Sequence, residues 1–312
     1  MYELGEKIAT RQAFGEALLK LGGKHKNIVV FDADLCCSVK TDLFAKHFGD
    51  RHFNLGVAEA NMTGVACGFA LRGKIPFTAT FAVFATGRTY DQIRASVCYP
   101  NLNVKIIGTH SGLMTGEDGA THQALEDISL MRSLPNMKVF CPADAVETTQ
   151  VIEAIVNDFG PAYVRLGRSG VPVVHDSKYK FEIGKGNILK KGNDICIFAT
   201  GSMISSALEA AGKLETEKKL SVRVVNICSI KPIDEKLIVK CAEECDRLFS
   251  VEDHNVIGGL GSAISEVLTD KSPAKLHRLG VYDVFGESGK GDDLYKKYKL
   301  DGAGVYQQIC SL

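Results

Sequence analysis

Short apolar runs rich in β-branched residues alternate with amphipathic or Ala/Gly-rich segments, and this alternation restricts the fold more than any other feature of the chain. In the first half, the apolar runs predict strands at 27–32, 75–80, 104–109, 138–141 and 162–166. The segments between them predict helices at 9–21, 58–72, 86–97, 123–132 and 144–157. This order is typical of βαβ units, and therefore of a parallel sheet with helices on both faces.

The alternation stops at residues 167–186, which are polar, glycine-rich and without a helical period. A second set then follows, with predicted strands at 194–199, 221–226, 247–252 and 275–280 and predicted helices at 203–217, 234–243, 259–269 and 302–310. We therefore predict an α/β protein with two parallel-sheet-based domains, residues 1–170 and 187–312, joined by a linker at 171–186.

The charge balance argues against several classes of partner. Lys plus Arg and Asp plus Glu both total 37, so the formal net charge is zero. A neutral chain without a basic run predicts no binding to nucleic acid or to an anionic membrane. No apolar stretch approaches the roughly 20 residues that span a bilayer, and the N-terminus lacks the apolar core of a signal peptide. We expect a cytoplasmic protein.

Neither the cysteines nor the glycine motifs indicate a metal or nucleotide site. The ten cysteines are scattered without a CxxC pair, which predicts reduced thiols, although a redox role for Cys36 or Cys37 stays open. The P-loop-like Gly68-x4-Gly73-Lys74 lacks its final Ser or Thr and ends a predicted helix. Gly259-Leu260-Gly261 lacks the third glycine of a dinucleotide fingerprint. A nucleotide-binding domain is therefore a weak alternative.

Two segments that follow predicted strands carry candidate cofactor residues, because open parallel sheets place ligands at the carboxyl ends of their strands. Glu59 begins a helix, where a carboxylate is often no more than a partner of the helix dipole. The sharper interpretation is a buried carboxylate that faces a ring nitrogen. Phe81 and Phe84, three residues apart, either pack in the core or form a stacking platform for an aromatic cofactor.

A third segment, the loop at 109–123, is long, polar and glycine-rich. It has His110 and His122 near its ends and includes Glu117 and Asp118. A turn requires Gly or Asp but does not require histidine at both ends, and histidine is the usual acid–base residue near neutral pH. We interpret this loop as functional.

In combination, these segments resemble the transketolase family. GVAE at 56–59 followed by Asn61-Met62, TFAVF at 80–84 and above all GEDGATHQ at 116–123 look like its pyrimidine-binding domain. VEDH at 251–254, the glycines at 258–261 and FGESG at 285–289 are similar to its C-terminal domain. The resemblance covers nearly the whole chain. It implies a thiamine-diphosphate enzyme that transfers a two-carbon ketol unit from a ketose phosphate to an aldose phosphate.

The resemblance also implies cofactor contacts. Glu59 would hydrogen-bond N1′ of the aminopyrimidine, and Phe84, with Phe81 beside it, would stack on that ring. Ala85-Thr86-Gly87 stands where some members have a third aromatic residue, so that stacking is thinner there or Tyr90 substitutes.

The substrate contacts come from the same resemblance. His110 and His122 would contact substrate hydroxyls or phosphate and assist proton transfers, and Asp118 would recognise the hydroxyl next to the ketose carbonyl. The sugar phosphate would be held by Arg11, Ser38 and Arg168, and the guanidinium fork suits phosphate oxygens. Cys36-Cys37 stands where other members vary, which weakens the assignment of Ser38.

Full-length members have a further N-terminal module whose GDG…N motif binds a divalent ion and the diphosphate. No segment here matches it, so we expect no metal site in this chain. We expect a separate N-terminal-half transketolase subunit that holds Mg²⁺ or Ca²⁺ and shares the thiamine diphosphate, in an α2β2 assembly.

Other functions remain as alternatives. The β subunit of a thiamine-dependent 2-oxo acid dehydrogenase shares this architecture, but GEDGATHQ with Arg168 favours ketose phosphates. A fused deoxyxylulose-phosphate synthase would have its N-terminal module on the same chain. A non-catalytic α/β scaffold subunit would be expected to lose Glu59 or the histidine loop.

Overall fold

The computed structural model describes residues 2–312 as two parallel-based sheets flanked by helices. A separate antiparallel pair joins β1 (Lys7–Ala9) to β8 (Gly170–Pro172). The predicted α/β fold with two parallel-based sheets is confirmed. None of the helices within residues 2–312 has the length and apolarity that a bilayer crossing requires.

The first sheet has seven strands, of which six are parallel. They are β2 (Ile28–Asp32), β3 (His52–Asn54), β4 (Ile75–Phe81), β5 (Lys105–Thr109), β6 (Lys138–Phe140), β7 (Ala162–Arg165) and the antiparallel edge strand β12 (Ser229–Lys231). Their spatial order is β12-β6-β7-β5-β4-β2-β3. All residues of β2, β4, β5 and β7 are buried, as expected for strands covered on both faces.

Helices cover both faces of this sheet. They are α1 (Thr10–Lys24), α2 (Cys36–Val39), α3 (Asp42–His47), α4 (Glu59–Leu71), α5 (Tyr90–Gln92), α6 (Asp127–Arg132) and α7 (Ala145–Asn157). Helices α1 and α7 pack on one face, where Phe14 and Ile152 share a buried cluster with Phe77. Helix α4 packs on the other face, where Met62 lies in a cluster with Phe31.

The regular helix predicted at 86–97 is wrong in detail. The chain there forms a π-helical turn at Phe84–Arg88, then α5, then a second π-helical segment at Ile93–Cys98. The hydroxyl groups of Thr86 and Thr89 donate to the carbonyl oxygens four residues earlier, at 2.8 and 2.5 Å. Such bonds compete with the backbone ladder and bend helices.

The second sheet has five strands in the order β14-β13-β10-β11-β9, and only β9 is antiparallel. Its strands are β9 (Asn187–Lys190), β10 (Ile195–Ala199), β11 (Val222–Asn226), β13 (Arg247–Asn255) and β14 (Leu276–Val281). The associated helices are α8 (Met203–Lys218), α9 (Glu235–Glu244), α10 (Leu260–Lys271), α11 (Gly291–Lys297) and α12 (Gly302–Ser311).

The two sheets are joined more closely than an unstructured linker would allow. Strand β8 includes Val171 and Pro172, the first residues of the predicted linker. Strand β12 follows β11 of the second sheet in the chain, yet it pairs with β6 at the edge of the first sheet. The division of the chain at 171–186 stays a prediction.

A buried ion pair stands where the two sheets meet. The Nε atom of Arg165 donates to both carboxylate oxygens of Asp127, at 3.1 and 2.8 Å, and the two side chains are 5% and 0% exposed. Arg165 Nη2 donates to the carbonyl oxygens of Ala124 and Asp253, the latter in β13. The hydroxyl of Tyr163 donates to Asp127 at 2.6 Å. One side chain of the first sheet therefore binds the backbone of the second.

We predict that Asp127→Asn lowers the free energy of unfolding by about 3 kcal/mol, because it leaves the guanidinium of Arg165 buried without a counter-charge. The matched control is Glu153→Gln, which removes an exposed ion pair with Lys20 and should cost less than about 1 kcal/mol. Urea denaturation of both variants measures the difference. Equal losses in the two variants would contradict a structural role for the buried pair.

Candidate active site

The candidate residues lie beyond the carboxyl ends of neighbouring parallel strands. Glu59 begins α4, a few residues after β3, and Phe81 ends β4. The loop at 109–123 follows β5, and Arg168 follows β7. These strands lie side by side in the order β7-β5-β4-β2-β3. The chain therefore collects its polar groups at one edge of the first sheet, where open parallel sheets place their ligands.

Glu59 is a buried carboxylate, with 4% of the residue exposed. Its Oε1 atom accepts a hydrogen bond of 2.9 Å from Nη1 of Arg88, a residue that we did not predict. The guanidinium carbon of Arg88 lies 3.9 Å from the centroid of the Phe84 ring. A flat, hydrogen-bond-donating cation thus fills the space between the carboxylate and the aromatic ring.

The aromatic residues form one contiguous cluster with the two histidines. The rings of Phe81 and Phe84 are nearly parallel at 6.0 Å, and the ring of His110 stacks on Phe81 at 3.8 Å. The ring of His122 makes T-shaped contacts with Phe84, at a centroid distance of 5.3 Å, and with Phe81, at 6.1 Å. The structure therefore brings together four residues that lie up to 41 positions apart, since 122 − 81 = 41.

His110 is buried, and hydrogen-bonding groups contact both its ring and its backbone. Its Nδ1 atom lies 2.9 Å from Oγ1 of Thr109, and its carbonyl oxygen accepts a bond of 2.6 Å from Thr115. Burial first, and then the positive charges of Arg11 and Arg168, lower the pKa of His110 to about 3. His110 is therefore a neutral hydrogen-bonding group near pH 7.

The predicted phosphate-binding residues form the other end of the site. Nε of Arg11 donates to the carbonyl oxygen of Arg168 at 3.1 Å, and its Nη1 donates to the carbonyl oxygen of Ser38 at 2.6 Å. Burial, and then the charge of Arg168, lower the pKa of Arg11. Nη1 of Arg168 lies 3.8 Å from the half-exposed carboxylate of Asp118. Nη1 of Arg168 also donates to the carbonyl oxygen of Thr115 at 2.5 Å, and Thr115 in turn bonds His110. Through Thr115 and Arg88, all nine predicted site residues belong to one chain of contacts.

The second sheet holds the histidine loop in place, which we did not predict. Oδ1 of Asp253, in β13, accepts a bond of 2.9 Å from the backbone nitrogen of Leu113. Its Oδ2 accepts a bond of 2.8 Å from the hydroxyl of Tyr295, and Gln123 donates to the carbonyl oxygen of Glu287 at 3.0 Å. Burial raises the pKa of Asp253, and the charge of Arg165 opposes this.

The sequence held a partial signal for each residue that we missed. Arg88 is four positions after Phe84, the spacing at which side chains meet on a helix. Asp253 lies in the VEDH segment, which resembled a family motif but did not predict a contact with the histidine loop. Tyr90 does not replace the third aromatic residue on Phe84, because its ring packs in the core below α4 and its hydroxyl bonds Ser133 at 3.1 Å.

We predict that Gly112→Ala displaces the histidine loop. Gly112 has φ +72°, and an added Cβ would lie 2.0 Å from Oδ2 of Asp253. The matched control is Gly73→Ala, which has φ +77° but open space around the added carbon. Both variants should lose about 1–2 kcal/mol from backbone strain, and Gly112→Ala should lose about 1–3 kcal/mol more from the clash. Equal losses on urea denaturation would contradict this contact.

We also predict an acid-sensitive contribution from His110. Between its unfolded pKa of 6.5 and its folded pKa of about 3, the unfolded chain binds a proton there and the folded chain does not. The free energy of unfolding therefore decreases as the pH is lowered through that window, by up to about 1.4 kcal/mol per pH unit. His110→Gln should flatten this acid limb in urea titrations at pH 7 and pH 4.5. The exposed His47→Gln should not, and a matching slope in both variants would contradict the prediction.

The sequence matches two family descriptions. Residues 6–173 match "Transketolase, pyrimidine binding domain", and residues 184–305 match "Transketolase, C-terminal domain". The chain is also 48% identical to a protein described as "Putative transketolase C-terminal section" from Methanocaldococcus jannaschii, with 96% of this chain and 94% of that protein covered.

Two further relatives agree. The chain is 39% identical to the 6-deoxy-6-sulfo-D-fructose transketolase subunit SqwH of Clostridium sp. strain MSTE9, covering 93% of this chain and 90% of that subunit. It superposes with a TM-score of 0.91 and 50% identity on a split-gene transketolase solved as an inactive β4 tetramer, covering 97% and 98% of the two chains. The chain belongs to the transketolase family, whose members depend in general on thiamine diphosphate.

Proposed function

We propose that this chain is one subunit of a thiamine-diphosphate-dependent transketolase that moves a two-carbon ketol unit from a ketose phosphate to an aldose phosphate. The observation that carries the proposal is the arrangement at the edge of the first sheet. A buried carboxylate and two stacked phenylalanines lie at one end of it, and two arginines lie at the other. Two histidines lie in the same chain of contacts.

The cofactor end suits an aminopyrimidine. Glu59 would hydrogen-bond N1′, and Phe84 with Phe81 would stack on the ring. The guanidinium of Arg88 supports this fit, because a planar donor already bonds Glu59 at 2.9 Å while lying 3.9 Å from the Phe84 ring centroid. When bound, thiamine diphosphate would supply the stabilisation of the carbanion, while the chain supplies orientation and electrostatics.

The substrate end suits a phosphorylated sugar. His110 is neutral near pH 7, so we expect its Nε2 to exchange hydrogen bonds with a substrate hydroxyl and not to act as a cationic acid. His122, on the edge of the two phenylalanine rings, would be the second group that assists proton transfers. Asp118 would contact the hydroxyl next to the carbonyl.

The sugar phosphate would meet Arg11 and Arg168, which are bonded to each other through the carbonyl oxygen of Arg168. The guanidinium group binds phosphate oxygens in a bidentate manner. Ser38 has a second contact besides the one proposed with the phosphate, because its carbonyl oxygen accepts a hydrogen bond from Arg11. Ser38 would therefore orient Arg11 as well as offer its hydroxyl.

The remaining parts of the enzyme would come from a partner. We propose that an N-terminal-half subunit with a GDG…N motif holds Mg²⁺ or Ca²⁺ and the diphosphate, in a cytoplasmic α2β2 assembly. The relatives of similar length support this, since they are described as a C-terminal section, a subunit and a split-gene product. The sulfosugar named for one relative indicates that the donor ketose varies among such subunits.

We predict that the chain reconstituted with its N-terminal-half subunit shows ketose–aldose transfer, and that Glu59→Ala in the pair abolishes it. Isolated chain should show no turnover and little affinity for thiamine diphosphate. The matched control is Glu153→Gln, at a partly exposed residue remote in sequence from the candidate site residues, which should keep full activity. Circular dichroism of Glu59→Ala checks that the fold persists. Turnover by that variant would remove the proposed role of Glu59 and favour a scaffold role for this subunit, whereas full activity of the isolated chain would remove the requirement for a partner.

A further inference from the structure

Arg88 occupies an unusual position for a surface cation. Its side chain is 51% exposed, while the carboxylate that it bonds, Glu59, is 5% exposed. It lies at the end of the π-helical turn Phe84–Arg88, so the same turn supplies both the aromatic ring and the cation beside it. The long side chain thus reaches from the solvent to a buried charge.

The pairing of these two residues has an electrostatic reason. A carboxylate removed from water is unfavourable unless a hydrogen bond or an opposite charge compensates it. Within residues 2–312, Arg88 is the one cation that forms an ion pair with Glu59. Because half of the Arg88 side chain is already in water, the guanidinium can leave at a small cost.

The guanidinium and the aminopyrimidine have the same requirements. Both are flat, both hydrogen-bond a carboxylate, and both stack on an aromatic ring. The guanidinium uses Oε1 of Glu59 and one face of Phe84, the two contacts that the proposed function gives to the pyrimidine ring. The two groups therefore compete for one place.

We propose that Arg88 is an exchangeable counter-ion of Glu59, which holds the carboxylate until the aminopyrimidine ring displaces it. This inference rests on the proposed function, and it makes Arg88 a positioning residue that acts through Glu59. The exchange requires no covalent step. The ion pair should have opposite effects on stability and on coenzyme affinity. It stabilises the unbound chain, and it weakens binding of the ring because it must be broken when the ring binds.

Arg88→Met tests this exchange, since methionine is unbranched and uncharged and has no donor. The midpoint temperature of thermal unfolding of the isolated chain should fall by about 2–4 °C, because Glu59 loses its partner. Calorimetric titration of the reconstituted pair with thiamine diphosphate and Mg²⁺ should show binding that is about 2–10 times tighter than in wild type, because no ion pair has to open first.

Two matched variants separate this effect from a general loss of charge. Arg88→Lys keeps the charge but loses the flat group that stacks on Phe84, so both changes should have the same direction as in Arg88→Met and be smaller. Arg94→Met removes an exposed arginine from the neighbouring turn and should change neither. Since a purely structural role for Arg88 would weaken coenzyme binding, the direction of the change in affinity decides between the two roles.

The outcomes are distinguishable from a failure of the proposed function. A wild-type pair that does not bind thiamine diphosphate would overturn the proposed function, and the exchange with it. A wild-type pair that binds, with equal or weaker binding in Arg88→Met, would overturn the exchange alone. An unchanged unfolding temperature in Arg88→Met would also overturn it, because Glu59 would then need no counter-ion.

Discussion

The contact between Asp253 and the histidine loop determines the geometry of the site. The loop has glycines at 112, 116 and 119 with positive φ, so its own backbone restricts it weakly. Asp253 accepts from the loop at Leu113, and its carbonyl oxygen accepts from Arg165 of the first sheet. The first sheet supplies the candidate site residues, and the second sheet fixes the loop on which three of them, His110, Asp118 and His122, lie. The two sheets therefore act as one unit.

The charges in the site are arranged along its length. Arg11 and Arg168 lie at the proposed substrate end, and their charges, after burial, help to lower the pKa of His110. A neutral histidine between cations and aromatic rings can accept or donate a hydrogen bond without adding to the local positive charge. An anionic substrate group beside the two arginines would reduce the unfavourable field at His110. In the proposed function, a bound phosphate would therefore raise the pKa of His110 through its charge.

The sequence predicted those features that depend on local pattern. The strands at 75–80 and 104–109 are buried on both faces and lie within one residue of their predicted limits, because apolar continuity determines them. Glu59 and His110 could be found because both follow strands. Arg88 and Asp253 were missed despite their partial signals, since their roles depend on contacts with residues 29 and 140 positions away. The π-helical turns were missed for a related reason, as hydroxyl–backbone bonds within a helix leave no periodic signal.

The chain has two buried carboxylates with arginine partners, Asp127 and Glu59, and the two arginines differ in their exposure to solvent. Asp127 and Arg165 are both removed from water, and the pair is extended by Tyr163 and by backbone carbonyls, so opening it would leave several groups unsatisfied. Glu59 is also buried, but Arg88 remains half in water. In the proposed function Glu59 bonds a coenzyme, and a partner as permanent as Arg165 would oppose this because the coenzyme would have to break that ion pair. Glu59 also cannot lack a partner, because the chain has to fold before the coenzyme binds. A half-exposed arginine satisfies both conditions.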